Sequence, residues 1–113
     1  MLIWSMAAPA ERSGRQDAQL DNCISRIAQG DREGLAALYE LTRAAVYGFA
    51  LSMVKNVDDA EDITQDTYVK IYHAAGQYVS QGKPMAWVLT IARNLATSRL
   101  RDHSRTAPLE GEQ

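Results

Sequence analysis

A single cysteine, Cys23, cannot form a disulfide within the chain, and a reducing, cytoplasmic setting is the default expectation for such usage. The two histidines, His73 and His103, lie far apart and no cysteine or histidine set has zinc-ligand spacing, so no metal site and no cofactor are expected. Aromatic residues make up only 7% of the sequence, and strand-favouring runs of Val, Ile and Thr are scarce, which argues against a β-rich fold. No stretch approaches the roughly 20 consecutive apolar residues that a membrane span requires, so no direct membrane insertion is expected. The opening segment "MLIWSMAAPAERSG" is apolar for only a few residues and has no basic leader, so it does not read as a signal peptide. Residues 1–16 are expected to be a flexible tail. Internal repeats and low-complexity tracts are also missing, and no Ser/His/Asp or Cys/His set suggests a nucleophilic catalyst.

What is present is a chain of 113 residues, 46% hydrophobic and rich in Ala and Leu, which suits one small helical domain. Leu20, Ile24 and Ile27 recur at helical spacing over residues 17–29, with Asp17 as a candidate cap and Gly30 as a left-handed stop. Asp31 then offers a second N-cap. Leu35, Leu38, Thr42, Val46, Phe49 and Met53 predict one long amphipathic helix over 32–54. Asp58 and Glu61 have the spacing of a capping box, which predicts a third helix to about residue 75. "GQYVSQGKP", residues 76–84, reads as a loop, and Pro84 suits the first turn of a last helix, "MAWVLTIARNLATSRLRDH". The expected architecture is all-α, a compact bundle of about four helices over residues 17–105, followed by linker over 106–113.

The overall net charge of −2 conceals a sharp division. From 58 to 75, five carboxylates (Asp58, Asp59, Glu61, Asp62, Asp66) face one lysine, Lys70. From 83 to 105, Lys83, Arg93, Arg99, Arg101 and Arg105 face only Asp102. Two surfaces of opposite character imply two different partners. On the third helix, Ala60, Ile63, Thr67, Ile71 and Ala74 form the core stripe, leaving Asp62, Gln65, Asp66, Val69 and Tyr72 outside it. Most charge runs are simply solvated, and first-turn carboxylates favour the helix dipole. Val69 has no place in a purely solvated face. An apolar centre with an acid and amide rim has the composition of a small docking patch. On the last helix, Val88, Ile91, Ala92, Leu95 and Ala96 cover the core side. Thr90, Asn94, Thr97 and Arg101 lie opposite, with Arg93 at the edge, a mixture suited to phosphates and bases. Tyr78, Gln81 and Lys83 precede it in the loop. Trp87 fits either a packed core position or a stacking surface for an unpaired base. Arg99 and Arg101 also fit compensation of the helix C-terminus.

"VDDAEDITQDTYVKIY", followed at close range by "KPMAWVLTIARNLATSRLR", resembles the second conserved region of bacterial RNA polymerase sigma factors of the extracytoplasmic-function group. The likeness covers roughly residues 20 to 105, and it rests on the order and spacing of the two motifs around a Gly/Pro loop. It implies that the acidic helix docks on the clamp helices of the polymerase β′ subunit, with Asp62, Gln65, Asp66 and Val69 as the contact face. It further implies promoter −10 recognition and melting. The non-template strand would be captured by the loop and last helix through Tyr78, Gln81, Lys83, Trp87, Arg93, Asn94, Thr97 and Arg101. An anti-sigma factor partner is implied as well. The chain departs from the family pattern at Ser98, where Asp is common. The family's second domain, which reads the −35 element, is not expected within these residues, whose end reads as the start of the interdomain linker.

Two other readings stay open from the residues. A sigma-like interaction module would bind an anti-sigma factor through the same acidic face without recognising a promoter. Asp58, Asp59 and Asp62 also spell the D-D-x-x-D spacing of magnesium–diphosphate sites, but a four-helix chain of this size has no deep apolar cavity to accompany it. No enzyme activity is expected.

Overall fold

The computed structural model describes residues 8–111, with side chains over 14–105. Among the described residues, four helices make up the bundle: α1 (Ala8–Ala28), α2 (Arg32–Val54), α3 (Val57–Ala74) and α4 (Pro84–Gly111). A short 3-10 turn, Ala75–Gln77, and an irregular loop over 78–83 join α3 to α4. The all-α bundle expected from the sequence is the fold observed.

The α1–α2 corner follows from local chemistry. Leu20, Cys23, Ile24 and Ile27 are buried at successive turns of α1. Gly30 takes φ +89°, its N–H reaches Ile27 O at 2.9 Å, and the Asp31 N–H reaches Arg26 O at 2.9 Å. This paired closure of a helix end requires a left-handed residue, which glycine adopts without penalty. Asp31 serves the next helix at once. Its Oδ1 accepts from the Glu33 N–H at 2.9 Å, while Oδ2 accepts from Arg26 Nε at 2.9 Å. The Arg26 hydrogen bond, foremost, holds the Asp31 carboxyl below its ordinary range. Gly34 is buried where α2 crosses α1. A Cβ there would meet Arg26 Cβ at 2.8 Å and Cys23 O at 3.0 Å, so the close approach requires the missing side chain.

Helix α2 is the central element and packs against the other three. Its bounds match the expected 32–54. Lys55 closes it in the left-handed region at φ 55°. Leu20, Ile24, Leu38, Val46, Ile71 and Val88 meet in the main core, and a second cluster of Ala50, Ala60, Ile63 and Ala96 lies apart from it. Each fully buried Leu, Ile or Val contributes about 1.5–3 kcal/mol.

Three boundaries differ from the sequence reading. Helix α1 begins at Ala8, so residues 8–16 are helical where a tail was expected; residues 1–7 lie outside the described residues. Asp17 is therefore an interior residue, not a cap. Helix α4 runs to Gly111, so helix replaces the expected linker over most of 106–113. The third difference is the start of α3. Asn56, not Asp58, is the N-cap, and its Oδ1 accepts from the Asp59 N–H at 2.9 Å. Asn56 holds extended backbone (φ −147°) directly after the left-handed Lys55, the non-helical conformation an N-cap needs, so the cap falls on its amide two residues before Asp58. Asp58 and Asp59 fall in the first turn, where their charge complements the helix dipole.

Candidate docking and nucleic-acid surfaces

Helix α3 sorts its residues around a buried polar link. Ala60, Ile63, Thr67 and Ile71 are buried as expected, and Thr64 and Tyr68 join them. Ala74 is only half-buried. The Tyr68 hydroxyl lies 2.5 Å from Thr42 Oγ1 on α2. Thr42 donates its single proton to Leu38 O at 2.7 Å, so Tyr68 donates to Thr42. Burial, above all, pushes the Tyr68 phenol up from its ordinary range. This bond spans α2 and α3 and sets the rotation of α3 about its axis.

That rotation turns Asp62, Gln65, Asp66 and Val69 outward together, and all four are exposed. Val69 is 57% exposed and Tyr72 43%, large apolar surfaces for a helix that has a core to bury them in. The Tyr72 ring packs edge-on against His73 at 5.3 Å between centroids. Beside this face lies an open groove of about 500 Å³ between α2 and α3, with Tyr39, Arg43 and Tyr47 on one wall and Glu61 and Gln65 on the other. The sequence reading passed over this groove. Its signal was the i, i+4, i+8 spacing of residues 39, 43 and 47, just off the α2 core stripe. The Arg43 guanidinium stands 5.7 Å over the Tyr39 ring.

The acidic run is not uniformly available. Asp59 has a side chain only 18% exposed, and its Oδ1 accepts from Arg99 Nη1 at 2.6 Å while His103 Nε2 lies 3.4 Å from Oδ2. Asp62 Oδ2 is 3.9 Å from the same Arg99 nitrogen. Arg99 therefore ties α4 to the start of α3 and does not serve the end of its own helix. With Asp59 so occupied, the D-D-x-x-D run is dispersed. Among the described residues, no group of three or more His, Cys, Asp or Glu side chains is gathered for a metal ion.

The second surface combines loop 78–83 with the outer side of α4. Tyr78 and Trp87 are half-buried, with ring centroids 4.8 Å apart and planes tilted by 54°. Trp87 packs on the main core, so it is both a core residue and the floor under Tyr78. Tyr78 Oη donates to Asp21 Oδ1 at 2.5 Å, and Ser80 Oγ donates to Asp21 Oδ2 at 2.7 Å. Gln81 and Lys83 are exposed on either side of Gly82, whose φ is +80°. Along α4, Arg93, Asn94 and Arg101 are exposed and Thr97 is half-exposed. Thr90 is exposed too, but its hydroxyl donates to Ala86 O at 2.7 Å. From Trp87 to Arg101 the strip runs about 21 Å along the helix axis. Lys83, Arg93 and Arg101 form no ion pair among the described residues, whereas Arg99 is bound to Asp59 and Arg105 to Asp102. Ser98 is exposed and accepts from Arg101 Nη2 at 3.3 Å, a local contact. The structure thus brings every expected strand-binding residue onto the loop or the α4 strip. Sequence reasoning missed Asp21 and Ser80. No pattern marks two residues that meet only when the chain folds.

Among the described residues, no helix is long and apolar enough to cross a membrane. Comparison with known proteins places residues 38–106 in the family described as Sigma-70 region 2. The chain is 36% identical over 92 residues to the ECF RNA polymerase sigma factor SigK of Mycobacterium sp. strain KMS, covering 80% of this chain and 48% of that protein. It is 36% identical over 94 residues to SigK of Mycolicibacterium vanbaalenii, covering 82% of this chain and 48% of that one. SigK of Mycobacterium tuberculosis strain H37Ra is 31% identical over 88 residues, covering 77% of this chain and 47% of its own length. The chain spans about half the length of the curated relatives it matches. On its helical order, its two motifs and the match over 38–106, it belongs to the Sigma-70 region 2 family, in the extracytoplasmic-function group.

Proposed function

We propose that this chain acts in transcription initiation as the region 2 unit of an alternative sigma factor, with residues 17–105 docking on core RNA polymerase and holding the melted −10 strand. The observation that carries the reading is Val69. It is 57% exposed at the centre of Asp62, Gln65 and Asp66, on a helix whose Ile63 and Ile71 are used in the core. A basic helical rod with an apolar ridge, such as the β′ clamp helices, complements that face.

The loop and the α4 strip supply the second half of the reading. Stacking on aromatic rings contributes about 1–3 kcal/mol per base. Unstacking one base step costs a few kcal/mol. One captured base therefore offsets about one opened step, and polymerase contacts supply the rest. Phosphodiester chemistry belongs to the polymerase, and the sigma unit contributes recognition. Work in the cytoplasm, and an anti-sigma factor that covers one of the two faces, belong to the same proposal. The test is a −10-like single-stranded oligonucleotide titrated into the chain with and without core polymerase. Binding that appears, or strengthens by tenfold or more, only with core supports the reading, as tethering raises effective concentration. Core binding with no gain for any oligonucleotide would instead indicate a protein-interaction module.

A further inference from the structure

We propose that Asp21, on α1 and ahead of the 38–106 stretch that matches the family, is a positioning residue that fixes the conformation of the loop over 78–83 and so sets which base the loop accepts. The inference rests on the reading that this loop holds an unpaired base. The two oxygens of one carboxylate receive two hydroxyls from the loop: Tyr78 at 2.5 Å and Ser80 at 2.7 Å. Both donors are bound to a helix 57 and 59 residues away, so the anchor is tertiary. The residues between and after them have no such support. Val79 is 71% exposed, and Gln81, Gly82 and Lys83 are exposed with Gly82 at positive φ. Without the carboxylate, the loop between the 3-10 turn and Pro84 is held at its ends: by the packing of Tyr78 on Trp87 and the core, by the backbone bond from Tyr78 N–H to Ala75 O at 3.2 Å, and by that from Trp87 N–H to Lys83 O at 3.2 Å.

The chemistry of the anchor selects its own diagnostic variant. A carboxylate accepts on both oxygens, whereas an amide of the same shape accepts on one and donates from the other. Asp21→Asn therefore leaves one of the two hydroxyls without an acceptor at almost unchanged volume. The Tyr78 phenol, pushed up to about 12 mainly by burial and then by its bond to Asp21, stays a proton donor throughout the physiological range.

The test uses the full chain in two arms. In the free protein, amide exchange over 78–83 and the emission of Trp87, with Trp4→Phe making it the sole tryptophan, report the loop directly. Asp21→Asn is expected to speed exchange there roughly tenfold and shift Trp87 emission, with the melting temperature and exchange in α2 little changed. Ser80→Ala should give a smaller change, and Asp21→Asn added to Ser80→Ala should give less than the sum. In complex with core polymerase, the preference among −10-like oligonucleotides differing at single bases should flatten, with core affinity held within about twofold. A merely structural role would lower all affinities together and leave the preference intact. Unchanged loop exchange in Asp21→Asn, or an unchanged base preference, overturns the proposal. A parent chain that shows no base preference at all sinks the strand-binding reading instead, and the free-protein arm then decides whether Asp21 holds the loop.

Discussion

The α3 face and the loop–α4 surface are built in opposite ways. On α3, Asp62, Gln65, Asp66 and Val69 inherit their positions from a regular helix, whose rotation is set by Ala60, Ile63, Thr67 and Ile71 in the core and by the Tyr68–Thr42 bond. Their side chains are outward and ready, with little to rearrange on binding. Across the bundle's other surface, the residues nearest the loop are already engaged. Tyr78 is bonded to Asp21 and packed on Trp87, Ser80 is bonded to Asp21, and Thr90 is bonded to Ala86 O. On the proposed reading, a protein partner would meet a preformed face, while a nucleic-acid partner would meet a loop held by long-range bonds. Preformed contacts favour affinity, and a conditionally held loop favours selection among ligands.

The sharpest way to break this contrast is to place a charge at the centre of the preformed face. Val69→Asp puts a carboxylate where the docking reading needs an apolar contact, beside Asp66 and within a turn or two of Asp62. Burying an unpaired charge at the centre of an interface costs about 2 kcal/mol or more, so affinity for a β′ clamp-helix fragment should fall by about thirtyfold or more. Because Val69 is 57% exposed, the melting temperature should stay put. Unchanged capture by the clamp helices would remove Val69 from the interface and, with it, the reason to assign that face.

A smaller effect separates phosphate contact from base contact on the other surface. Arg101 is exposed and has only a 3.3 Å hydrogen bond to Ser98. Arg101→Ala is expected to weaken single-strand binding uniformly across sequences and to reduce the salt-dependence slope by about 0.7, the share of one phosphate contact on single-stranded nucleic acid. Arg99→Ala should behave differently, since Arg99 is spent on Asp59 and its loss disturbs the α3–α4 junction. Equal salt slopes for the parent and Arg101→Ala would take Arg101 off the strand path.

The same contrast explains what the sequence made legible. Helix periodicity located Leu20, Ile24, Leu38, Val46, Ile71 and Val88 in the core, and by exclusion it put Val69 and Asn94 outside. Gly30 and Asp31 announced the α1–α2 corner, because each has a local chemical job. Asn56 was passed over as a cap because Asp58 and Glu61 offered a motif, and the left-handed turn at Lys55 that decides the matter is not encoded in a pattern. Asp59 read as one more solvated acid until Arg99 and His103 closed on it from α4. The Asp21 anchor was invisible for the same reason: residues more than fifty apart meet only through the packed core.

The weakest expected effect probes that anchor by alkali. Tyr78 carries a phenol pushed up to about 12 in the folded chain, first by burial and then by the Asp21 carboxylate that accepts its proton. An unfolded chain loses the same proton near pH 10. Below pH 10 the phenol is protonated in both states, so it adds no pH dependence. Between about 10 and 12 the unfolded state binds fewer protons than the folded one, and stability declines as pH rises through that window. Tyr78→Phe removes this loss, so the variant, less stable than the parent at pH 8, should close part of the gap by pH 11.5 in urea unfolding. Half-exposure screens the effect, and it should be small. Tyr68, also pushed up by burial, titrates in the same direction in both proteins and cancels in the difference. Parallel stability curves for parent and variant across that range would mean that the Tyr78 proton is not held by Asp21 in solution, and the loop would then be no more constrained than its composition suggests.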